Sequence, residues 1–403
     1  MMYEYFSTRA ESVSARIDQN PDLANARKKY TLEILNLGKK LYTPGEKIAW
    51  CGVLAPFDLL HAMGVTSCFV EFIGAVLASS GAADPFIKEA EDSGYASDSC
   101  AYHRAVTGAM LKGIMPKPDF IIGTSAPCTA GLAVMENMAA AFKKDLFILN
   151  IPQQYSRQSI DFVAAQLKEM AGFVSRHTHV PLSMDKLGDA MELANQATLI
   201  LREIYALARE NPSPVDSRLL GDVGTVMALM MGTQKGVDVC KAFRDELLSR
   251  KQAGKTEAGP EKVRLMWIQN RIQYKFPIFS ILEEMGAKVV ADELNDVTWD
   301  LLNPERPFES MAKRIMGIPY CLDAPARIDH IRKMAEEYQI QGAINPCHWG
   351  CRQGTGIRGL ITRGLKDIGI PVLNLEIDCV DSRNLAPGQV RTRLEAFMEM
   401  LGQ

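Results

Sequence analysis

"PDFIIGTSAPCTAGLAVMENMAAAFKKDLFILNIP", Pro118 to Pro152, decides the fold. Two apolar runs of strand length, Pro118–Ser125 and Asp145–Pro152, flank "TAGLAVMENMAAAF", which has the length and composition of a helix. A connection that long cannot close a hairpin, so the two strands are predicted to be parallel neighbours joined by a crossover helix. The same order extends upstream. "KIAWCGV" (Lys47–Val53) reads as a strand, "PFDLLHAMG" as a helix opened by Pro56 and stopped by Gly64, and "TSCFVEFIG" (Thr66–Gly74) as a second strand. It also returns near the C-terminus. "VRLMWI", "AKVVAD", "IQGAIN" and "PVLNLEID" are strand-like, separated by helical segments such as "FPIFSILEEMG" and "ARIDHIRKMAEEYQ". Further helices are expected from about Gly356 and from about Pro387. The fold class is therefore α/β: two doubly wound, Rossmann-like parallel-sheet domains.

Between the two units, "LGDAMELANQATLILREIYALARE" and its surroundings carry helical periodicity and few strand signals. The resulting organisation is an N-terminal helical arm (1–43), a first α/β domain (44–183), a helical segment (184–255) and a second α/β domain (256–403). The polar "KQAGKTEAGPEK" (Lys251–Lys262) reads as a linker or exposed loop. Its Gly-Lys-Thr is not a P-loop, because Ser249 stands where the first glycine is required.

With 403 residues the chain exceeds what one core usually serves, which agrees with several domains. A formal net charge of -3 and the lack of a basic, aromatic-interleaved run argue against nucleic acid as a partner. No secretory signal and no membrane-length apolar run is present, so a cytoplasmic location is expected. In a reducing compartment the nine cysteines are not expected to form a disulfide framework.

Ligands of open α/β sheets bind beyond the carboxyl ends of the strands, and that rule sorts the cysteines. Cys128 follows "DFIIGTS", while Cys347 and Cys351 follow "IQGAIN". Cys100 falls near a helix start capped by Ser97, Asp98 or Ser99, where a helix dipole favours thiolate. Separate cysteine loops suit iron–sulfur binding better than a zinc knuckle, which needs paired C-x2-C units. Cys240 and Cys321 read as structural, Cys51 and Cys68 as strand residues, and Cys379 as a less distinctive strand-end thiol. Glu71 is a carboxylate at a predicted strand end, suited to an oxygen ligand or a base. Gln154, Arg157 and Trp267 follow strands and are candidates for substrate contacts in the same crevice.

Gly354-Thr355-Gly356-Ile357-Arg358-Gly359 matches the G-x-G-x-x-G dinucleotide fingerprint, with Glu376 or Asp378 about 20 residues on. In a true site the first glycine follows the strand almost directly, whereas here both cysteines intervene. The expected role is a turn into the next helix, with Gly359 allowing close packing. A nicotinamide oxidoreductase remains an alternative on this motif. A non-catalytic scaffold with structural cysteines is another.

"SDSCAYHRAVTG", "GIMPKPDFIIGTSAPC", "LFILNIPQQ" and "HWGCRQ" occur in an order that resembles the 2-hydroxyacyl-CoA dehydratase/benzoyl-CoA reductase family, from about Pro44 to the last helix. The resemblance implies one 4Fe–4S cluster per chain, held by Cys100, Cys128 and Cys351, with a fourth site open. Cys347 is an additional thiol beside the third, either a fourth ligand or an inert neighbour, and His348 is a catalytic candidate as hydrogen-bond donor or proton carrier. Glu71 matches a family acid near the cluster, although Val70 replaces the usual proline and Thr129 an acid that often follows the second cysteine. The implied reaction removes water from a 2-hydroxyacyl-CoA. One electron on the thioester carbonyl gives a ketyl radical anion, loss of the α-hydroxyl makes the β-proton acidic, and the electron is returned. The resemblance further implies an ATP-dependent iron–sulfur activator as electron donor and a related second subunit, or a second copy, as partner. Within the family the alternative is a benzoyl-CoA reductase-type subunit. A double-cubane reductase would need more cluster cysteines than can be placed.

Overall fold

The computed structural model describes residues 2–20, 26–254 and 261–402. Its strands are β1 (Ile48–Cys51), β2 (Thr66–Phe69), β3 (Phe120–Thr124), β4 (Leu146–Leu149), β5 (Val263–Trp267), β6 (Ala287–Asp292), β7 (Gly342–Asn345) and β8 (Val372–Asn374). They form two four-stranded sheets with the orders β2-β1-β3-β4 and β6-β5-β7-β8. Every pairing is parallel. The two α/β units inferred from the sequence are therefore present, and they share one topology. β1, β3, β5 and β7 are buried along their whole length, which is why they read as unbroken apolar runs.

In each sheet the chain winds one way from the first strand to the second and the other way to the third. The order thus reverses between β1 and β3, and again between β5 and β7. Loops on either side of such a reversal part and leave a crevice. Here the two crevices open into one cavity of about 500 Å³. The helix Leu219–Leu229 and the arm helix Ala26–Leu41 complete its wall through Met227, Thr225, Tyr30 and Ile34. The arm is tied down by Arg27, which pairs with Asp216 at 2.9 Å and Asp222 at 2.7 Å.

Several expected elements end elsewhere. "TSCFVEFIG" is not one strand: Val70 makes the last ladder bond, to Cys51 O, and Glu71 begins the helix Glu71–Ser80. A short apolar run does not separate strand from buried helix, and Gly74 there packs on the Tyr102 backbone. "PVLNLEID" leaves the sheet after Asn374, because Ile377 and Cys379 bond instead to Trp349 N and His348 Nδ1. The helix expected from Gly356 starts at Arg352, so the glycine fingerprint lies within a helix and forms no turn. A methyl on Gly356 or Gly359 would meet nothing within 4 Å, so neither supplies close packing. Part of the expected linker, residues 255–260, lies outside the described residues. No helix of the described residues is long and apolar enough to cross a membrane.

Candidate active site

Cys100, Cys128 and Cys351 are far apart in sequence, yet all three line the one cavity. Each is the N-cap residue of a helix: Ala101–Leu111, Thr129–Phe142 and Arg352–Lys366 respectively. The cap predicted at Ser97, Asp98 or Ser99 is thus Cys100 itself. Gly131 N donates to Cys128 Sγ at 3.3 Å and Gly354 N donates to Cys351 Sγ at 3.4 Å. Asn270 Nδ2 lies 3.7 Å from the Cys351 sulfur. Three helix N-termini therefore aim their positive ends at one space. The Cys100 and Cys351 loops meet as bare backbone. Gly350, at φ +73°, is so close that a Cβ would lie 2.5 Å from Cys100 N.

Burial pushes all three thiols up: Cys100 well above the ordinary range, Cys128 to about 11, and Cys351 upward. The Gly131 and Gly354 N–H groups oppose that rise. Left alone, these groups are neutral thiols, and a bound cation would reverse the balance by displacing their protons. Among the described residues no group of three His, Cys, Asp or Glu side chains could hold a metal ion. A 4Fe–4S cluster makes a different demand, since each thiolate binds its own iron and the donors stand apart. Soft donors on three separate loops, sulfur-directed N–H groups and a shared cavity fit that demand.

His348 has both ring nitrogens engaged. Cys379 N–H donates to Nδ1 at 2.9 Å, which leaves the ring proton on Nε2, 3.3 Å from Cys100 Sγ. Burial lowers its pKa to about 3, so the ring is neutral. It stands behind Cys100, off the cavity wall. That geometry fits the first of its two expected roles, a hydrogen-bond donor, here directed at sulfur.

Glu71 lines the cavity. Its Oε1 is 3.2 Å from His103 Nε2, and its Oε2 is buried without a partner. His103 was missed by sequence reasoning, though a signal existed: three residues after Cys100 on a helix is the same face. Gln269 was also missed, and nothing local marks it. It is buried, it lines the cavity, and both its amide atoms lack partners.

Other candidates lie elsewhere. Cys347 takes φ +30° and donates its thiol to Asn374 Oδ1 at 3.4 Å, away from the cavity. Gln154 is exposed beyond β4. Arg157 is exposed and paired with Asp161 and Glu309. Trp267 belongs to the core on the other face of the second sheet, its ring tilted 53° against Phe279. A residue near a strand end meets the crevice only if its side chain points that way, and these do not. All nine cysteines are free thiols.

Paired switch points, three capping cysteines and a carboxylate–imidazole pair around one cavity define an α/β enzyme site built across two halves. The chain belongs to the 2-hydroxyglutaryl-CoA dehydratase, D-component family, whose model matches residues 53–401. It is 26% identical over 349 residues to a benzoyl-CoA reductase polypeptide of Thauera aromatica, one of that enzyme's subunits, covering 79% of this chain and 80% of that one. It is 23% identical over 375 residues to the (R)-phenyllactyl-CoA dehydratase alpha subunit of Clostridium sporogenes, covering 89% and 90%. Identity to the alpha subunit of lactoyl-CoA dehydratase of Anaerotignum propionicum is 22% over 390 residues, covering 89% and 91%. Family membership places the chain with dehydratase-type enzymes, the acyl-CoA reductases being the alternative.

Proposed function

We propose that this chain is the cytoplasmic cluster-bearing subunit of a 2-hydroxyacyl-CoA dehydratase. Cys100, Cys128 and Cys351 hold one 4Fe–4S cluster, a related subunit or second copy completes the enzyme, and an ATP-dependent iron–sulfur activator provides the electron. The observation that carries this reading is the convergence of those three N-capping thiols, with Glu71, on one cavity. When bound, such a cluster supplies one low-potential electron and a Lewis-acidic iron.

The protein's own groups do the rest. Glu71 lines the cavity, and its partnerless Oε2 serves as acceptor for a substrate proton or as an oxygen ligand, while His103 holds Oε1 in place. Phe57, Phe69, Phe72, Met227, Trp299 and Ile315 line an apolar portion able to take the acyl group and keep water from it. The reductase reading is favoured by the 26% identity to a benzoyl-CoA reductase polypeptide and by these aromatic walls.

The test is anaerobic purification with iron analysis. About four irons per chain and a brown colour are expected, and colourless iron-free protein sinks the cluster. Incubation with an activator and either a 2-hydroxyacyl-CoA or benzoyl-CoA then separates the two activities by product. Dehydration consumes no net electrons, whereas ring reduction does.

A further inference from the structure

Among the residues just after β5, Asn270 donates to Cys351, Arg271 to Asp292 and to Arg218 O, and Gln273 to Tyr102. Gln269 alone of these polar side chains has no partner. It is only 3% exposed, and both Nε2 and Oε1 are buried and unpaired. Its backbone holds φ +70°, a left-handed conformation that a non-glycine residue adopts at a cost. A methyl on Gly354 would lie 2.8 Å from Gln269 Oε1 and 3.3 Å from Cys351 Sγ, so the glycine leaves room for both amide and thiol. A strained residue that lines the cavity while its buried amide lacks partners is the signature of a group with hydrogen bonds still to make.

A carboxamide sets an NH2 donor group and an acceptor oxygen side by side. A 2-hydroxyacyl thioester offers the complement: a carbonyl acceptor and a hydroxyl donor on adjacent carbons. Benzoyl and other acyl thioesters without the hydroxyl offer only the acceptor, and would leave Oε1 buried and unpaired. Sites built to bond a hydroxyl reject analogues that lack it for this reason.

We propose that Gln269 recognises the reacting end of the substrate, its Nε2–H donating to the thioester carbonyl oxygen and its Oε1 accepting from the 2-hydroxyl. The inference rests on the dehydratase reading and adds a residue that selects for the hydroxylated substrate.

The test is calorimetric binding to the anaerobic holoprotein without activator, so that no turnover occurs. The probes are 2-hydroxy-3-phenylpropanoyl-CoA and 3-phenylpropanoyl-CoA, which differ only in the hydroxyl. Wild type is expected to prefer the first by about tenfold, the worth of one well-made buried hydrogen bond. Gln269→Leu is expected to bind both alike, and Gln269→Glu, which keeps an acceptor but no donor, to retain part of the preference. Iron content and melting temperature matching wild type show that the variants fold. If Gln269→Leu does not fold, Gln269→Met and Gln269→Glu carry the comparison. Equal binding of the two thioesters by wild type, or an undiminished preference in the folded variants, overturns the role of Gln269 and leaves the dehydratase reading standing. Failure of wild type to bind either thioester overturns both.

Discussion

His348 shows how a single side chain is fixed by its second nitrogen. The Cys379 N–H selects the tautomer, and the tautomer makes the ring a donor to Cys100. Replacing it by Leu leaves the buried Cys379 N–H without an acceptor. His348→Leu is therefore expected to lower the stability of the metal-free protein by about 2 kcal/mol, measured by urea unfolding. Cys128 and Cys351 were legible as cavity residues at this scale because cysteines past strand ends carry a chemical expectation of their own. Position after a strand did not separate Cys351 from Cys347; only the family motif favoured Cys351. What separates them is direction, since one caps a helix at the cavity and the other turns to Asn374. Gln269 was not legible at all. A glutamine after a strand is ordinary, and only the fold sets it beside Gly354 and Cys351, more than eighty positions on.

At the scale of elements, three helices begin at sulfur. A capping thiol satisfies an N-terminal N–H only weakly, and serine would cap at least as well. Cys128→Ser is therefore expected to leave the stability of the metal-free protein within about 0.5 kcal/mol of wild type. After reconstitution the same variant is expected to lose most of its iron, because a hydroxyl is a poor ligand for iron–sulfur chemistry. Cys347→Ser, off the cavity, is expected to reconstitute like wild type. Retention of full iron by Cys128→Ser would remove that cysteine from the ligand set. Strand and helix order was legible because buried parallel strands leave unbroken apolar runs. The start of the helix at Glu71 and the early exit of β8 were not, because tertiary bonds set both.

Across the whole molecule, Arg104 joins the halves. It is buried on the helix that Cys100 caps, and it pairs with Glu91 on its own side and with Asp378 at 3.5 Å and Asp381 at 3.3 Å on the other. Arg104→Met strands buried carboxylates and is expected to cost roughly 3 kcal/mol in chemical denaturation. Arg383→Met, a third exposed beside the same acids, is expected to cost clearly less. The arm and helical segment were legible as helices but not as cavity walls, since amphipathic patterning says which face is buried and not what it covers.

The bare-backbone contact of Gly350 with Cys100 has a consequence for assembly of the site. Two thiols, Cys100 and Cys128, come from one half and Cys351 from the other. Whatever they jointly grip acts as a rivet through the seam. Its binding energy is then shared with the docking of the halves, and neither half can keep it alone. On the proposed reading, loading that rivet would tighten a seam already formed by Gly350 and Arg104.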